Sequence, residues 1–335
     1  MLIVLDTNLL IADPAATNGP MAILLDYTHR TDSRLMLSAL VQEELLAHRI
    51  RQLESQWGAY VRSAGLVRAF APTTPALPEK PDLEKIANDQ VAALRKRLRS
   101  PDILPVTDAQ MREAIRRAIR RVPPCTERGE EIRDAVLWLQ ILELARKNKT
   151  EAVAFISANT RQFASKDGSL LSFLAEEVRP SRLVYYPSLD AFAKQHATAI
   201  EFITREWIEQ RIPDDQVFQK AESKLERIAS RAAGSTAAYV SDIIEDYWIE
   251  LDDFYVYEME DGTLRVQAYW TATLEVPGDE VDYDYGFNPV TGKHEYHFSV
   301  EHESESKEVE VVITVEAIVR DRNMEGWEVI DAERT

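Results

Sequence analysis

The sequence predicts a three-layer α/β fold with a central parallel sheet between helices, followed by a smaller antiparallel α+β domain. Short apolar runs at Leu2–Leu5, Arg34–Leu40 and Val153–Ile156 alternate with segments of helical periodicity, which is the pattern of parallel strands joined by helices. The first and third runs are each followed directly by residues with short polar side chains. Beyond Gly234 the pattern changes to alternating strands separated by tight turns, which is typical of an antiparallel sheet.

The first predicted strand ends at Asp6, and Thr7 and Asn8 follow it. In an open α/β sheet, ligands bind in the crevice outside the carboxyl ends of the strands, so this position favours a functional site. An Asp at such a junction is equally typical of a helix N-cap. Both interpretations of Asp6 are kept.

The second predicted strand leads into a helix that carries Glu43 and Glu44. Only one of the two can share a helix face with Val41 and Leu45, and we assign Glu44 to that face and Glu43 to solvent. An error of one residue in the helical register would exchange these roles. The alternative is that Glu44 is an ordinary surface glutamate.

A later apolar helix carries Asp134 beside its apolar stripe, close to the helix start. An acidic residue in the first turn also stabilises a helix by interacting with its positive end, so a purely structural role is the alternative. The strand that follows ends in Ser157-Ala158-Asn159. The polar ending of the first strand is therefore repeated.

These segments contain four ordered motifs: LDTN, S-x-x-V-x-x-E-L with Glu44 as its acid, a D-A pair opening the apolar helix, and S-x-N-x-x-x-F. Their order resembles that of the PIN-domain nucleases over about the first 190 residues. The resemblance implies that the family's acidic triad falls on Asp6, Glu44 and Asp134. Its fourth position, commonly an Asp, falls on Asn159, and Gln162 stands where a further Asp is frequent.

Carboxylates drawn together from different elements repel one another, and a cation among them removes that cost. Hard oxygen ligands select Mg²⁺ or Mn²⁺, and such ions promote phosphodiester hydrolysis. The resemblance thus implies a metal-dependent ribonuclease. The implied metal-binding and catalytic residues are Asp6, Glu44, Asp134 and Asn159, with Asn8 and Ser157 holding them in place or serving only as caps.

The alternative function is a catalytically weak or inactive PIN-like protein that binds RNA or regulates. Asn159 and Gln162 favour this alternative, because an amide oxygen is a neutral and weaker ligand for a hard cation than a carboxylate. Single-stranded or structured RNA is the expected partner in both cases. The choice between RNA and DNA, and between endo- and exonucleolytic attack, stays open.

Charge is distributed unevenly along the chain. Residues 236–335 contain 26 acidic and 6 basic residues, a balance of −20, which leaves +2 for residues 1–235 out of the whole-chain −18. Basic residues gather between the predicted site acids, where helical spacing would align several of them along a phosphate backbone. The predicted nucleic-acid-binding residues are Arg95, Arg97, Arg112, Arg116, Arg117 and Arg120. The alternative is a solvated helix face with ion pairs.

We expect a PIN-like domain over residues 1–195 with a basic helical insertion at about 83–122, a helical linker over 196–234 and an acidic, strand-rich domain over 235–335. Within the last, we predict a short helix through Ile249 and a hairpin of His294–Glu303 with Lys307–Val319. So acidic a domain favours a protein partner or self-association over base stacking. The resemblance also allows a homodimer.

Two features of composition predict a cytoplasmic protein that does not associate with membranes. Cys125 is the single cysteine, which excludes an internal disulfide framework and fits a reducing compartment. No apolar stretch of the sequence approaches the roughly 18 residues that span a bilayer.

Overall fold

The computed structural model describes residues 1–16, 19–70, 78–125, 131–233, 244, 246–276, 280–288, 293–301 and 306–334, of which 280–288 and 293–301 are described by their backbone. The chain divides into two compact units, Met1–Gln195 and His196–Thr335. None of the helices in these ranges is long and apolar enough to cross a membrane.

The first unit is built on a five-stranded parallel sheet with the order β3-β2-β1-β4-β5. The strands are β1 (Leu2–Leu5), β2 (Arg34–Ser38), β3 (Asp102–Leu104), β4 (Val153–Ile156) and β5 (Leu183–Tyr186). Strand β1 lies between β2 and β4, with Leu2 opposite both Arg34 and Val153. All residues of β1 and β4 are buried, as the continuous apolar runs of a parallel sheet require. The predicted parallel α/β fold is confirmed.

Nine helices of the described residues flank or extend this sheet: α1 (Thr7–Ala12), α2 (Gly19–Arg30), α3 (Ala39–Phe70), α4 (Leu83–Arg97), α5 (Asp108–Arg120), α6 (Ile132–Lys147), α7 (Thr160–Phe163), α8 (Ser172–Val178) and α9 (Leu189–Gln195). Three aromatic rings form part of the core. Phe163 packs edge-on against Phe155 of β4, with 4.9 Å between the ring centroids, and it also contacts Trp138 of α6. All three rings are fully buried. Helices α6 and α7 are thereby fixed against the sheet.

Strand β3 was not predicted, because the sequence assigns this stretch to the basic helical insertion at about 83–122. The structure forms a three-residue strand that extends the sheet beyond β2, with Met36 opposite Asp102. None of its residues is fully buried, so an edge strand this short leaves no periodic signal in the sequence. The following helix, α5, is capped by Thr107, whose hydroxyl accepts from the backbone N–H of Gln110. In return, the side-chain oxygen of Gln110 accepts from the backbone N–H of Thr107.

The second unit contains a four-stranded antiparallel sheet with the order β11-β10-β7-β6, as the predicted α+β class requires. Its strands are β6 (Asp246–Glu258), β7 (Leu264–Val276), β10 (Lys307–Arg320) and β11 (Asn323–Arg334), while β8 (Glu280–Asn288) and β9 (Lys293–Glu301) form a separate two-stranded sheet. The helices are α10 (Arg205–Glu209) and α11 (Asp214–Ala233). Along α11, one buried row is formed by Val217, Ala221, Leu225 and Ala229, which joins the apolar core of the sheet.

Several sequence predictions for the second unit need correction. The hairpin of His294–Glu303 with Lys307–Val319 is wrong, because β9 pairs with β8 and β10 pairs with β7 and β11. Alternation of apolar residues tells which face of a strand is buried, but it does not name the partner strand. The helix through Ile249 is also wrong, since β6 begins at Asp246. The segment 196–234, expected to be a linker, lies within the second unit.

Candidate functional site

Asp6 lies at the carboxyl end of β1, where it is both a helix cap and part of a larger polar cluster. Its Oδ1 accepts a hydrogen bond from the backbone N–H of Thr7 at 2.6 Å. Its Oδ2 accepts one from the hydroxyl of Ser157, at the end of β4, also at 2.6 Å. The residue is only 7% exposed. The two interpretations made from the sequence are therefore compatible.

Ser157 connects the ends of three neighbouring strands. Besides donating to Asp6, its hydroxyl accepts a hydrogen bond from the backbone N–H of Asn159 at 3.0 Å. Its carbonyl accepts one from the hydroxyl of Tyr185, on β5, at 3.1 Å. Ser157 is fully buried, so these contacts fix the turn after β4 relative to Asp6.

Asn159 and Asp134 meet on the same side of the sheet. The side-chain amide of Asn159 donates to Oδ1 of Asp134, in the first turn of α6, at 3.3 Å. Through Ser157, the contact links Asp134 to Asp6 by an unbroken series of hydrogen bonds. Three residues predicted from distant segments are therefore brought together.

Glu44 reaches the same region from α3. Its Oε2 accepts a hydrogen bond from the hydroxyl of Thr7 at 2.8 Å, and its Oε1 pairs with the guanidinium of Arg133. The side chain of Arg133 is 65% exposed, whereas that of Glu44 is 25% exposed. Glu43 is exposed, so in this helical register Glu44 is the residue directed to the site.

Burial and mutual repulsion perturb the carboxyl groups. Desolvation raises the pKa of Asp134 to about 7, and the negative charges of Asp6 and Glu44 add to the rise. Desolvation also raises the pKa of Asp6, with a smaller contribution from Glu44. The positive charge of Arg133 opposes both shifts. Perturbed groups of this kind concentrate at functional sites.

The donor set at this edge fits a hard divalent cation in its chemistry. Carboxylate and amide oxygens are the preferred ligands of such ions, and the buried side-chain oxygen of Asn8 has no hydrogen-bond partner within the described part of the chain. The side-chain oxygen of Gln162 is likewise buried and unpartnered there. Across the described part of the chain, no three His, Cys, Asp or Glu side chains lie close enough together to hold one ion. Instead, protein donors occupy oxygens of Asp6, Glu44 and Asp134.

A family model of the PIN domain matches residues 3–163. The first unit contains a PIN domain. The match runs from β1 through α7 and includes Asp6, Glu44, Asp134 and Asn159, while the second unit remains unassigned to a family. PIN domains are generally nucleases that bind nucleic acid and usually use divalent metals. No match was found among curated proteins or among solved structures.

The sequence prediction missed three residues of the PIN-domain cluster: Thr7, Arg133 and Tyr185. Thr7 is part of the LDTN motif and follows Asp6 directly, so the sequence offered a signal for it. Arg133 precedes Asp134 on the first turn of α6, but nothing in that spacing indicates a pair with a residue 89 positions away. Tyr185 lies in a strand without a polar motif, and the sequence gives no signal for its contact with Ser157.

The predicted nucleic-acid-binding arginines of the PIN domain fall into different environments. Arg112 and Arg120 are exposed on α5, whereas the exposed Arg116 pairs with Glu113 one turn earlier. Arg95 is half-buried in α4, and Arg97 of the same helix is exposed and donates to the carbonyl of Ala15 at 2.6 Å.

Arg117 is a correction to this set. Its side chain is only 8% exposed, and it forms an ion pair with Glu177 at 2.5 Å. It also donates to the carbonyl of Pro123 at 2.8 Å. Helical spacing placed Arg117 beside the exposed arginines, but packing of α5 against α6 buries that side of the helix. A phosphate backbone therefore cannot reach its guanidinium.

Proposed function

We propose that the PIN domain is a metal-dependent ribonuclease in which Asp6, Glu44, Asp134 and Asn159 hold Mg²⁺ or Mn²⁺. The observation that carries the proposal is the meeting of these residues at one edge of the sheet, with the pKa of Asp134 raised to about 7. Buried carboxyl groups that repel one another are stabilised by a bound cation. PIN domains usually use such ions.

The residues around the acids have distinct positioning roles in this proposal. Ser157 and Thr7 donate to carboxylate oxygens of Asp6 and Glu44, which orients both groups as neighbouring hydrogen bonds commonly orient metal ligands. When bound, a divalent ion supplies Lewis-acid activation of the phosphate ester and of the attacking water. Asn159 donates its amide N–H to Asp134, so its side-chain oxygen is the atom left to face the ion or the substrate.

Arg133 contributes a positive charge at the same place. Its guanidinium pairs with Glu44 and lowers the pKa of both Asp6 and Asp134. Because most of its side chain is exposed, it can leave Glu44 when a cation or a phosphate group arrives. We therefore assign Arg133 a role in balancing the charge of the acids before substrate binds.

The test is cleavage of labelled single-stranded RNA with Mg²⁺ or Mn²⁺, with labelled DNA assayed in parallel. Asp6→Asn and Glu44→Gln should each abolish cleavage, and a chelator should abolish it in the wild type. Glu43→Gln is the matched control, because this neighbouring glutamate is exposed and the change should leave cleavage intact. Cleavage that survives Asp6→Asn, or that persists in chelator, would refute the nuclease site.

The second candidate function is an RNA-binding or regulatory PIN domain without turnover. Asn159 favours it, because the position is commonly an Asp, and Gln162 removes a further acid. Under this alternative the wild type should bind RNA without cleaving it, and Asn159→Asp should create or increase cleavage. An active wild type whose cleavage is unchanged by Asn159→Asp excludes it.

We propose that the second unit binds a protein partner or another copy of the chain. Residues 236–335 have a balance of −20, which repels a phosphate backbone. The test is the oligomeric state of the full chain by light scattering, together with capture of basic proteins by the second unit. A monomer that captures none would contradict it.

A further inference from the structure

A second polar pocket lies in the first unit, and none of its lining residues belongs to the acidic cluster. Its volume is about 400 Å³, and it is lined by the turn after α1, the middle of α3 and the end of α4. The volume falls within the range of small-molecule sites, which is about 300 to 1,000 Å³. The polar side chains of the lining are Arg49, Arg97, Gln52, Gln56 and Gln90, and no acidic residue is among them.

Among the residues that the structure describes, Arg49 is a buried cation with no carboxylate partner. It is 7% exposed, and its Nη1 donates to the side-chain oxygen of Gln52 at 2.8 Å. Its Nη2 is buried and has no hydrogen-bond partner within the described residues. Leaving a charged donor buried and unpaired is costly. Arg49 also lines the pocket, so its incompletely paired positive charge lies in the pocket wall.

Arg97, on α4, provides a second guanidinium in the lining of the pocket. It is held by donation from Nη1 to the carbonyl of Ala15 at 2.6 Å, so only part of its hydrogen-bonding capacity is used. Guanidinium groups match phosphate geometry through paired N–H donors. Two arginines without an acidic residue in the lining therefore give the wall of this pocket a net positive charge.

We propose that this pocket binds the phosphate group of a nucleotide, either free or at the end of a nucleic-acid strand. A bare anion would leave most of the volume unfilled, and the three glutamine amides offer donors and acceptors that match the polar edge of a nucleobase. Along α3, Arg49 lies about 7.5 Å beyond Glu44. The same spacing turns the two side chains about 140° apart around the helix, so a strand end held here would lie on a different side of α3 from Glu44.

The test measures binding by the full chain carrying Asp6→Asn, in chelator, so that the acidic cluster contributes no cleavage. The probes are inorganic phosphate, nucleoside 5′-monophosphates, and one short RNA with either a 5′-phosphate or a 5′-hydroxyl. The binding of each probe is measured by calorimetry. At least one phosphate-bearing probe should bind. Preference for the 5′-phosphorylated RNA over the 5′-hydroxyl form identifies a strand end, and binding of the monophosphate alone identifies a free nucleotide.

Two substitutions and one control assign the binding to this pocket. Arg97→Ala should weaken binding about tenfold or more, because a charge-assisted contact is lost. Lys96→Ala, an exposed neighbour outside the lining, should leave it unchanged. Arg49→Met should abolish binding without lowering the unfolding temperature, since it removes an unpaired buried charge. Absence of binding by every probe, or equal binding by Arg97→Ala and Lys96→Ala, overturns the proposal, whether or not the wild type cleaves RNA.

Discussion

Asp134 shows how a single residue reports on its surroundings. It is one carboxyl group on the first turn of a helix, yet burial and two neighbouring acids raise its pKa from 3.8 to about 7. Arg133 and Asn159 only partly offset this rise. The site is therefore arranged at a cost to stability, as is common where a cation or substrate supplies the missing interaction.

The raised pKa of Asp134 predicts a pH-dependent stability in the absence of metal. Between pH 4 and pH 7 the native state holds a proton that the unfolded state has lost, so the free energy of unfolding falls as the pH rises through this window. Denaturant unfolding in chelator, measured at several pH values, should show this fall. In Asp134→Asn the fall should be smaller, and an identical pH dependence in both proteins would contradict the assignment.

Arg133 gives a second prediction for the same group. Because its charge lowers the pKa of Asp134, Arg133→Gln should raise that pKa further. Carboxyl carbon shifts followed by NMR titration provide the measurement. Arg133 is mostly exposed, so the change should leave the fold intact, and a pKa that falls or does not move would remove Arg133 from the charge balance of the site.

At the scale of the element, helix α5 separates structural from accessible arginines. Its buried side carries Gln110, Ala114 and Arg117, while Arg112 and Arg120 lie on its exposed side. Glu177 accepts hydrogen bonds from both Arg117 and the indole N–H of Trp138 at 2.8 Å. One helix therefore uses the same residue type for packing and for a charged surface.

Removal of Arg117 should destabilise the first unit. Arg117→Met leaves the partly buried Glu177 without its cation, and we expect a loss of about 3 kcal/mol in the free energy of unfolding. Arg120→Ala, on the exposed side, should change it by less than about 0.5 kcal/mol. Urea unfolding of the two variants gives the comparison. Equal losses in the free energy of unfolding would show that the ion pair with Glu177 does not stabilise the first unit.

The exposed arginines of α5 make a separate prediction about RNA. If Arg116 and Arg120 contact phosphates, replacing both by Ala should reduce the slope of log affinity against log salt by roughly 1 to 2, since each phosphate contact releases counterions. Binding titrations at several salt concentrations measure this slope. Glu113 pairs with Arg116, so Glu113→Gln removes this ion pair and keeps both arginines. Its salt slope is therefore the comparison for the double Ala variant. An unchanged slope would exclude this face of α5 from the RNA interface.

At the scale of the whole molecule, the two units have separate apolar cores. The core of the first is formed around β1, β4 and α6, and that of the second around α11 and its antiparallel sheet. A chain cut after Ala233 would keep α11 without the sheet that covers its buried row, whereas a cut after Gln195 follows the division between the units.

We therefore expect residues 1–195 to fold and act alone. Expressed by itself, this segment should unfold in one cooperative transition and show the same cleavage activity that we propose for the full chain, because the proposed ligands and the core around them lie within it. Circular dichroism on heating and the RNA assay provide the measurements. A segment that is unfolded, or folded but inactive beside an active full chain, would show that the second unit is needed.

Much of the first unit could be predicted from local sequence. The apolar runs gave β1, β2 and β4 their positions, and the polar residues that follow β1 and β4 marked the edge where the acids gather. Strand β3 could not be predicted, because three half-exposed edge residues carry no periodicity. Arg117 was misjudged because helical spacing shows which residues share a face but not what covers it.

The sequence by itself determined most elements of the first unit, the acidic and polar residue types of the candidate site and the separation of charge between the two halves, because these follow from local periodicity and side-chain chemistry. Only the tertiary structure decided the partners of Glu44, the contact of Ser157 with Asp6 and the pocket around Arg49. These features join residues 37, 89 and 151 positions apart at the acidic cluster, or three separate segments at the pocket. Such contacts depend on how the elements pack, which no local pattern records.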